Sequence, residues 1–307
     1  MNITAGMVKE LRERTGAGML DCKKALTETN GEIEKAIDFL RENGLAKAAK
    51  KAGRIAAEGI VNIATNKEGT LAVAVEVNSE TDFVAKNEKF RTFVAQVTEQ
   101  ALTTNATDID AFLAESWALD TSKTVVDALN EQISVIGEKL SIRRFVKVAA
   151  DNGMVVSYIH GGGKIGVLLQ VETAVVTSEL SEGLKNVAMQ IAALPPLYLS
   201  TAEVDPAYMA SEKAILTQQA KIENPDKPES IIEKMIIGRL NKQMKEVCLL
   251  EQAYVKDGDL TVLKYVEQLG KAAGTTVTLK SFVRFETGEG IEKKVENFAE
   301  EVAKQMQ

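Results

Sequence analysis

The chain has little of what most catalytic centres are made from. It holds two cysteines, Cys22 and Cys248, and one histidine, His160, among 307 residues. Two cysteines so far apart form neither a metal-binding spacing nor a disulfide framework, which fits a reducing interior. A lone histidine leaves general-base chemistry without recognisable partners. Aromatics make up 5% of the chain, so the core must be built from Val, Ile, Leu and Ala. No apolar run approaches the roughly 20 residues that span a bilayer. The start, Met1 to Gly6, has no basic stretch followed by an apolar one, as a secretory signal would require. The expectation is a cytoplasmic chain without membrane contact.

Charge of positive sign is also scarce. The net charge is −7 and the pI near 5.2, so the chain as a whole repels phosphate backbones and direct nucleic-acid binding is not expected. The imbalance is uneven. Residues 1–56 hold 11 Lys/Arg against 8 Asp/Glu, and the remainder 26 against 36. The basic group Lys47, Lys50, Lys51 and Arg54 reads as a solvated helix face or as steering for an acidic partner.

What is present is mixed helix and strand, an α+β chain. Residues 1–54 form a small helical unit. Thr4 caps a helix containing Val8 and Leu11 that ends near Gly16, and Met19 to Thr29 makes a second. A third, Glu32 to Glu42, has Ile33, Ala36, Ile37 and Leu40 at core spacing, with Asn43-Gly44 as its stop. With Gly16-Ala17-Gly18 in the first loop, the three helices resemble a ubiquitin-associated (UBA-like) bundle. Leu45 to Ala56 follows as a helical linker.

An internal repeat comes next. At an offset of 94, Leu71, Val73, Val75 and Val77 fall on Ile165, Val167, Leu169 and Val171, while Phe90, Phe93, Val94 and Val97 fall on Leu184, Val187, Ala188 and Ile191. Each copy reads as a β-hairpin followed by a packed helix. Residues 55–150 form the first unit and 151–290 the second. The run Leu71 to Val77 alternates as a strand with one apolar face. Beyond it lies Thr81-Asp82-Phe83-Val84, whose counterpart at the same offset is Val175-Val176-Thr177-Ser178. Two readings stand side by side: a capped helix start with Phe83 folded inward as a staple, or a carboxylate and an aromatic presented to a partner. The difference of this loop in the second copy raises the latter to equal footing with the former.

Between the hairpin-helix units lie a short helix within Asp108 to Ser116, a longer one at Ser122 to Glu138, and a strand from Leu140 to Ala149. His160-Gly161-Gly162-Gly163-Lys164 invites a phosphate-loop reading. Ile165 in place of Ser/Thr, and a strand where a helix should follow, argue against it. Pro195-Pro196 breaks the second repeat's helix. Asp205 to Ile222 and Ser230 to Val247 then make an antiparallel helical hairpin, spanning about 205–248, suited to core packing, self-association or partner contact. A helix from Leu260 to Ala272, a strand from Thr275 to Glu286 and a C-terminal helix at 292–305, within 291–307, complete the chain.

Five stretches carry a family resemblance: Leu11 to Met19, Asp21 to Leu26, Val77 to Lys86, His160 to Leu168 and Arg284 to Glu292. Together they make the chain similar to bacterial translation elongation factor Ts along its length, with Ser79 where that family often has Cys. The resemblance implies a guanine nucleotide exchange factor for elongation factor Tu in translation elongation, without a bond-making site and without a cofactor. By the same resemblance, Thr81, Asp82, Phe83 and Val84 approach the partner's magnesium, with Phe83 wedged between partner helices. Leu11, Arg12, Lys23 and Lys24 dock on the GTPase domain, and the second repeat, including His160, binds elsewhere on the partner. The alternative is an adaptor whose UBA-like unit captures another protein, with no exchange activity. An unrecognised enzyme is a weaker third reading.

Overall fold

The computed structural model describes residues 2–292, so the expected C-terminal helix lies outside the described residues except for its first position. Three helices open the chain: α1 (Ala5–Thr15), α2 (Met19–Glu28) and α3 (Ile33–Lys51). Thr4 caps α1 by accepting the Met7 N–H, and Gly16 closes it in the left-handed conformation. Val8, Leu11, Cys22, Ala25, Leu26 and Ala36 form their shared core.

The expected stop at Asn43-Gly44 does not occur. The α3 helix runs through both residues, because Asn43 donates to the Phe39 carbonyl within the helix and Gly44 lies buried against a neighbouring helix, α7 (Val125–Ile136). A Cβ on Gly44 would sit 3.5 Å from that of Ser134. The glycine serves close packing here, rather than chain termination.

The body contains β1 (Glu58–Thr65), β2 (Leu71–Ser79), α4 (Asp82–Lys86), α5 (Glu88–Thr103), α6 (Ile109–Ala114), β3 (Ser116–Trp117), β4 (Asp120–Thr124), α7 (Val125–Ile136) and β5 (Leu140–Ala149). It continues with β6 (Gly153–His160), β7 (Ile165–Thr173), α8 (Ser178–Ala193), α9 (Pro206–Glu223), α10 (Glu229–Val247), β8 (Ala253–Tyr254), β9 (Asp257–Thr261), α11 (Val262–Ala273) and β10 (Val277–Glu286). Two antiparallel sheets, ordered β1-β2-β5 and β10-β7-β6, stack face to face. Val61, Ala72, Ala74, Val148, Val155, Leu168 and Phe285 fill the space between them. The outer face of the first sheet is covered by α5, α6 and α7, and that of the second by α8 and α11. The layers therefore run helix, sheet, sheet, helix.

This layering corrects the one-faced expectation for β2. As the centre strand of a covered sheet it is buried from Ala72 to Ser79. Val73, Val75 and Val77 meet the helices, and Ala72 and Ala74 meet the second sheet. Glu76, on the inter-sheet face, is fully buried. It accepts from Arg143 at 3.1 Å, Arg144 at 2.6 Å, Asn78 at 3.0 Å and the Gly288 N–H at 2.8 Å. Gly288 reaches it from the turn after β10, where a Cβ would lie 2.0 Å from the Ala57 carbonyl oxygen. The run Arg284 to Glu292 thus locks the two sheets together.

The repeat is longer than expected and is not held at one offset. Strands β1 and β2 match β6 and β7 at 94, with Gly59 opposite Asn78 as Gly153 is opposite Glu172. The helix α5 matches α8 at 90, since Glu88–Thr103 corresponds to Ser178–Ala193. The segment β3-β4-α7-β5 matches β8-β9-α11-β10 at 137. Gln100 donates to the Ser116 carbonyl and accepts the Ala118 N–H; Gln190 does the same with Ala253 and Val255. The jump to 137 is the α9–α10 hairpin, inserted in the second copy only. Within it Ile232, Ile236 and Met244 face α9, while Ile215, Ile222 and Ile237 are exposed. All five prolines of the chain lie at 195–228, around and inside this insertion. The drop from 94 to 90 is α4.

Candidate functional site

Thr81 and Asn87 frame α4. Up to Thr81 the copies correspond at 94: Ser79 donates its hydroxyl to the Thr81 carbonyl as Thr173 does to Val175. From Asn87 they correspond at 90, because Asn87 caps α5 as Thr177 caps α8. Residues 82–86 therefore stand where the second copy has Val176 alone. The candidate site is an added helical turn.

Of the capped-start reading, the cap is present and the staple is not. Thr81 is the cap, its hydroxyl accepting the Val84 N–H at 3.4 Å. Val84 and Ala85 are buried in the first copy's core, which anchors the turn. The inward staple does not exist: Phe83 is 79% exposed. Beside it, Asp82 pairs with Lys86 at 2.6 Å. The hydrogen bond from Lys86 holds the Asp82 carboxyl below its usual range, with burial a weak opposing influence and Lys164 a further attraction. Asp82 is thus ionised at neutral pH, held by a partner it can exchange at little cost, since surface ion pairs are weak.

The turn is braced from three sides. Glu138, after α7, accepts both the N–H and the hydroxyl of Thr81. Glu80 accepts the Lys139 N–H and pairs with Arg54 at the end of the N-terminal unit. Arg91, on α5, donates to the Ala85 carbonyl at 3.2 Å and to the Gly162 carbonyl at 2.9 Å. The last bond ties α4 to the β6–β7 tip that carries His160. His160 is exposed, its Nδ1 3.0 Å from the Tyr158 hydroxyl.

The structure separates the remaining sequence-derived residues from this cluster. Arg12, Lys23 and Lys24 are exposed on α1 and α2, next to Met19 and Leu20, the latter 83% exposed. No hydrogen bond or ion pair links them to the α4 turn among the described residues. Leu11 is corrected outright as a contact residue. It is fully buried in the core of α1–α3, so it supports Arg12 and offers no surface of its own. Glu138 and Arg91 were missed in the sequence. The signal for Glu138 was present: at offset 137 the pair Glu138-Lys139 faces Thr275-Thr276.

Other candidate features carry less. A cleft of about 570 Å³ between α3 and α7 is lined by Arg14, Arg41, Lys123, Asp127 and Glu131. Lys123 is engaged by Asp120 and Glu131, and Arg14 by Glu34. Both cysteines are buried thiols pushed upward in pKa by that burial, Cys248 to about 11, and so are poor nucleophiles. Among the described residues no cluster of three or more His, Cys, Asp or Glu could hold a metal, and no helix is long and apolar enough to cross a membrane.

The first copy of the scaffold thus holds out an exposed aromatic, Phe83, beside the Asp82 carboxylate on a braced turn. Comparison with known proteins gives the family. The profile described as "Elongation factor TS" matches residues 80–289, beginning at the braced turn. Elongation factor Ts of Clostridioides difficile (strain 630) is 56% identical over 305 residues, covering 99% of both chains. That of Clostridium perfringens (strain ATCC 13124) is 54% identical over 302 residues, covering 98% of both. That of Clostridium botulinum (strain Eklund 17B) is 53% identical over 304 residues, covering 99% of both. The chain belongs to the elongation factor Ts family.

Proposed function

We propose that the chain is a cytoplasmic guanine nucleotide exchange factor for elongation factor Tu, acting in translation elongation. The observation that carries this reading is the added turn, present in one copy only, that exposes Phe83 on a braced and buried base. The working division is 1–54 for partner docking, 55–150 for the copy bearing the turn, 151–290 for the second copy with its hairpin, and 291–307.

An exchange factor makes and breaks no bond; it binds the nucleotide-free partner more tightly than the nucleotide-bound one. Thr81 and Val84 fix the turn, Phe83 enters an apolar gap in the GTPase, and the Asp82 carboxylate arrives beside a magnesium whose ligands are oxygens. A carboxylate there would compete for the ion's oxygen coordination and repel the nucleotide's phosphates. Weakening nucleotide about 10⁴-fold requires roughly 5.5 kcal/mol of differential binding. Burying one phenylalanine supplies roughly 1.5–3 kcal/mol. The rest must come from a broad grip, through Arg12, Lys23 and Lys24 on the N-terminal unit and His160 on the second copy. The exposed Met19 and Leu20 give the adaptor reading its one specific support, and that reading differs in predicting binding without release.

The test is release of fluorescent GDP from elongation factor Tu. Substoichiometric wild-type protein is expected to accelerate it, and folded protein that leaves the rate unchanged would overturn the proposal. Replacing Asp82 and Phe83 together by Ala should lower the maximal rate by about 100-fold, from the lost Phe burial and anion. Affinity for the GDP-bound partner should fall much less; equal losses would favour simple docking.

A further inference from the structure

We propose that Glu138 is a positioning residue for the Asp82–Phe83 turn, acting through Thr81; the proposal rests on the exchange-factor reading. Its two carboxylate oxygens accept separately, one from the Thr81 N–H at 3.0 Å and one from the Thr81 hydroxyl at 2.7 Å. That hydroxyl is the group that caps α4, so Glu138 fixes the rotamer on which the cap depends. A single helical turn cannot hold itself, because its nucleation cost is not recovered by length. The brace is reciprocal. Glu80 accepts the Lys139 N–H and pairs with Arg54, while the Lys139 ammonium donates to the Arg54 carbonyl at 2.7 Å. Residues 80–81 and 138–139 form a clasp between the end of β2 and the turn before β5.

The second copy is an internal control. There the positions of Glu138 and Lys139 are taken by Thr275 and Thr276, and those of Glu80 and Thr81 by Ala174 and Val175. The Thr275 hydroxyl reaches Thr173 at 3.4 Å and makes no bond to Val175. The same copy has no counterpart of α4. Strand, helix and returning strand pack alike in both copies, so the fold does not require the clasp. Clasp and added turn occur together in one copy and are missing together from the other, as expected of a device that serves the turn.

Wild type, Glu138→Ala and Glu138→Gln are compared in two assays. In amide hydrogen exchange of the full chain without partner, Ala should speed exchange at Val84, Ala85 and Lys86 about tenfold or more, leaving β2 and β5 protected. Gln should stay within about threefold of wild type, because it can still accept the Thr81 N–H and donate to the hydroxyl. In GDP release from elongation factor Tu, Ala should lower the maximal rate about tenfold while the half-saturating concentration moves less than about threefold, and Gln should restore the rate. Unchanged protection in the Ala variant overturns the clasp. Lost protection with an unchanged maximal rate, or a change in half-saturation alone, overturns the positioning role. A wild type that releases no GDP overturns the exchange reading itself, a failure that the partner-free exchange assay tells apart from a failure of the clasp.

Discussion

Glu76 sits where strand alternation places a polar residue, and that position is normally read as facing water. Here it faces a second sheet. Burial pushes its carboxyl upward in pKa, but the Gly288 N–H, Asn78 and Arg144 together outweigh that and hold it below the ordinary value near 4.5. A carboxylate with a depressed folded-state pKa stabilises fully above the unfolded value, and the contribution is lost as pH falls through the folded value. Glu76→Gln removes the charge while keeping size. It should lower stability at pH 7 by about 1.5–3 kcal/mol, the range for hydrogen bonds to charged groups. In urea unfolding the gap to wild type should shrink towards zero as pH falls through the lowered folded-state value. A gap independent of pH would mean that the ionised carboxylate contributes nothing. The pattern in the sequence identified the strand but not the partner face, since one strand's alternation says nothing about what covers its polar side.

At the scale of elements, the sequence revealed types and caps well and close packing poorly. Thr4, Gly16, the strand Leu140–Ala149 and both hairpins stand where residue patterns put them. The repeat was legible for a reason that also hid its most informative detail. Sliding a helix by four residues moves its apolar stripe by little more than one turn, so α5 still matches α8 at 94 when the true correspondence is 90. The four-residue excess that marks α4 was thereby absorbed into the pattern. The hairpin β3–β4 was missed because two- and five-residue strands carry no usable period. Gly44 was misread because a sequence does not distinguish a glycine that ends a helix from one that lets another helix approach. That difference is testable by unfolding. Gly44→Ala adds a Cβ in ordinary contact with Ser134 and should raise stability by up to about 1 kcal/mol through helix propensity. Gly44→Leu should lower it by about 1–3 kcal/mol, because the longer side chain wedges α3 from α7. A destabilising Ala would show that the α3–α7 contact has no room even for a methyl group.

For the whole molecule, the charge distribution and the site geometry assign different tasks to different parts. The N-terminal unit is net positive and the rest strongly negative, and Lys23 and Lys24 have no carboxylate partner among the described residues. Such charges steer encounter and set its salt dependence more than they set what happens after docking. Phe83, in contrast, is rigidly based and works only once the partner is engaged. Replacing Lys23 and Lys24 together by Glu should therefore raise the half-saturating concentration for GDP release by about tenfold or more at low salt. The penalty should fade as ionic strength rises past about 0.15 M, and the maximal rate should stay near wild type. Phe83→Ala should do the reverse, lowering the maximal rate with a modest effect on half-saturation. No bond links Lys23 or Lys24 to the α4 turn among the described residues, so the effects of the triple variant on the overall rate constant should multiply to within about twofold. Two outcomes would contradict this division. A Lys23/Lys24 reversal that lowers the maximal rate would make the N-terminal unit part of the displacement step. A triple variant no worse than Phe83→Ala alone would mean that both sites act on a single barrier, with the bundle and the turn working as one body through the Arg54–Glu80 pair and the bond from the Lys51 ammonium to the Gly137 carbonyl.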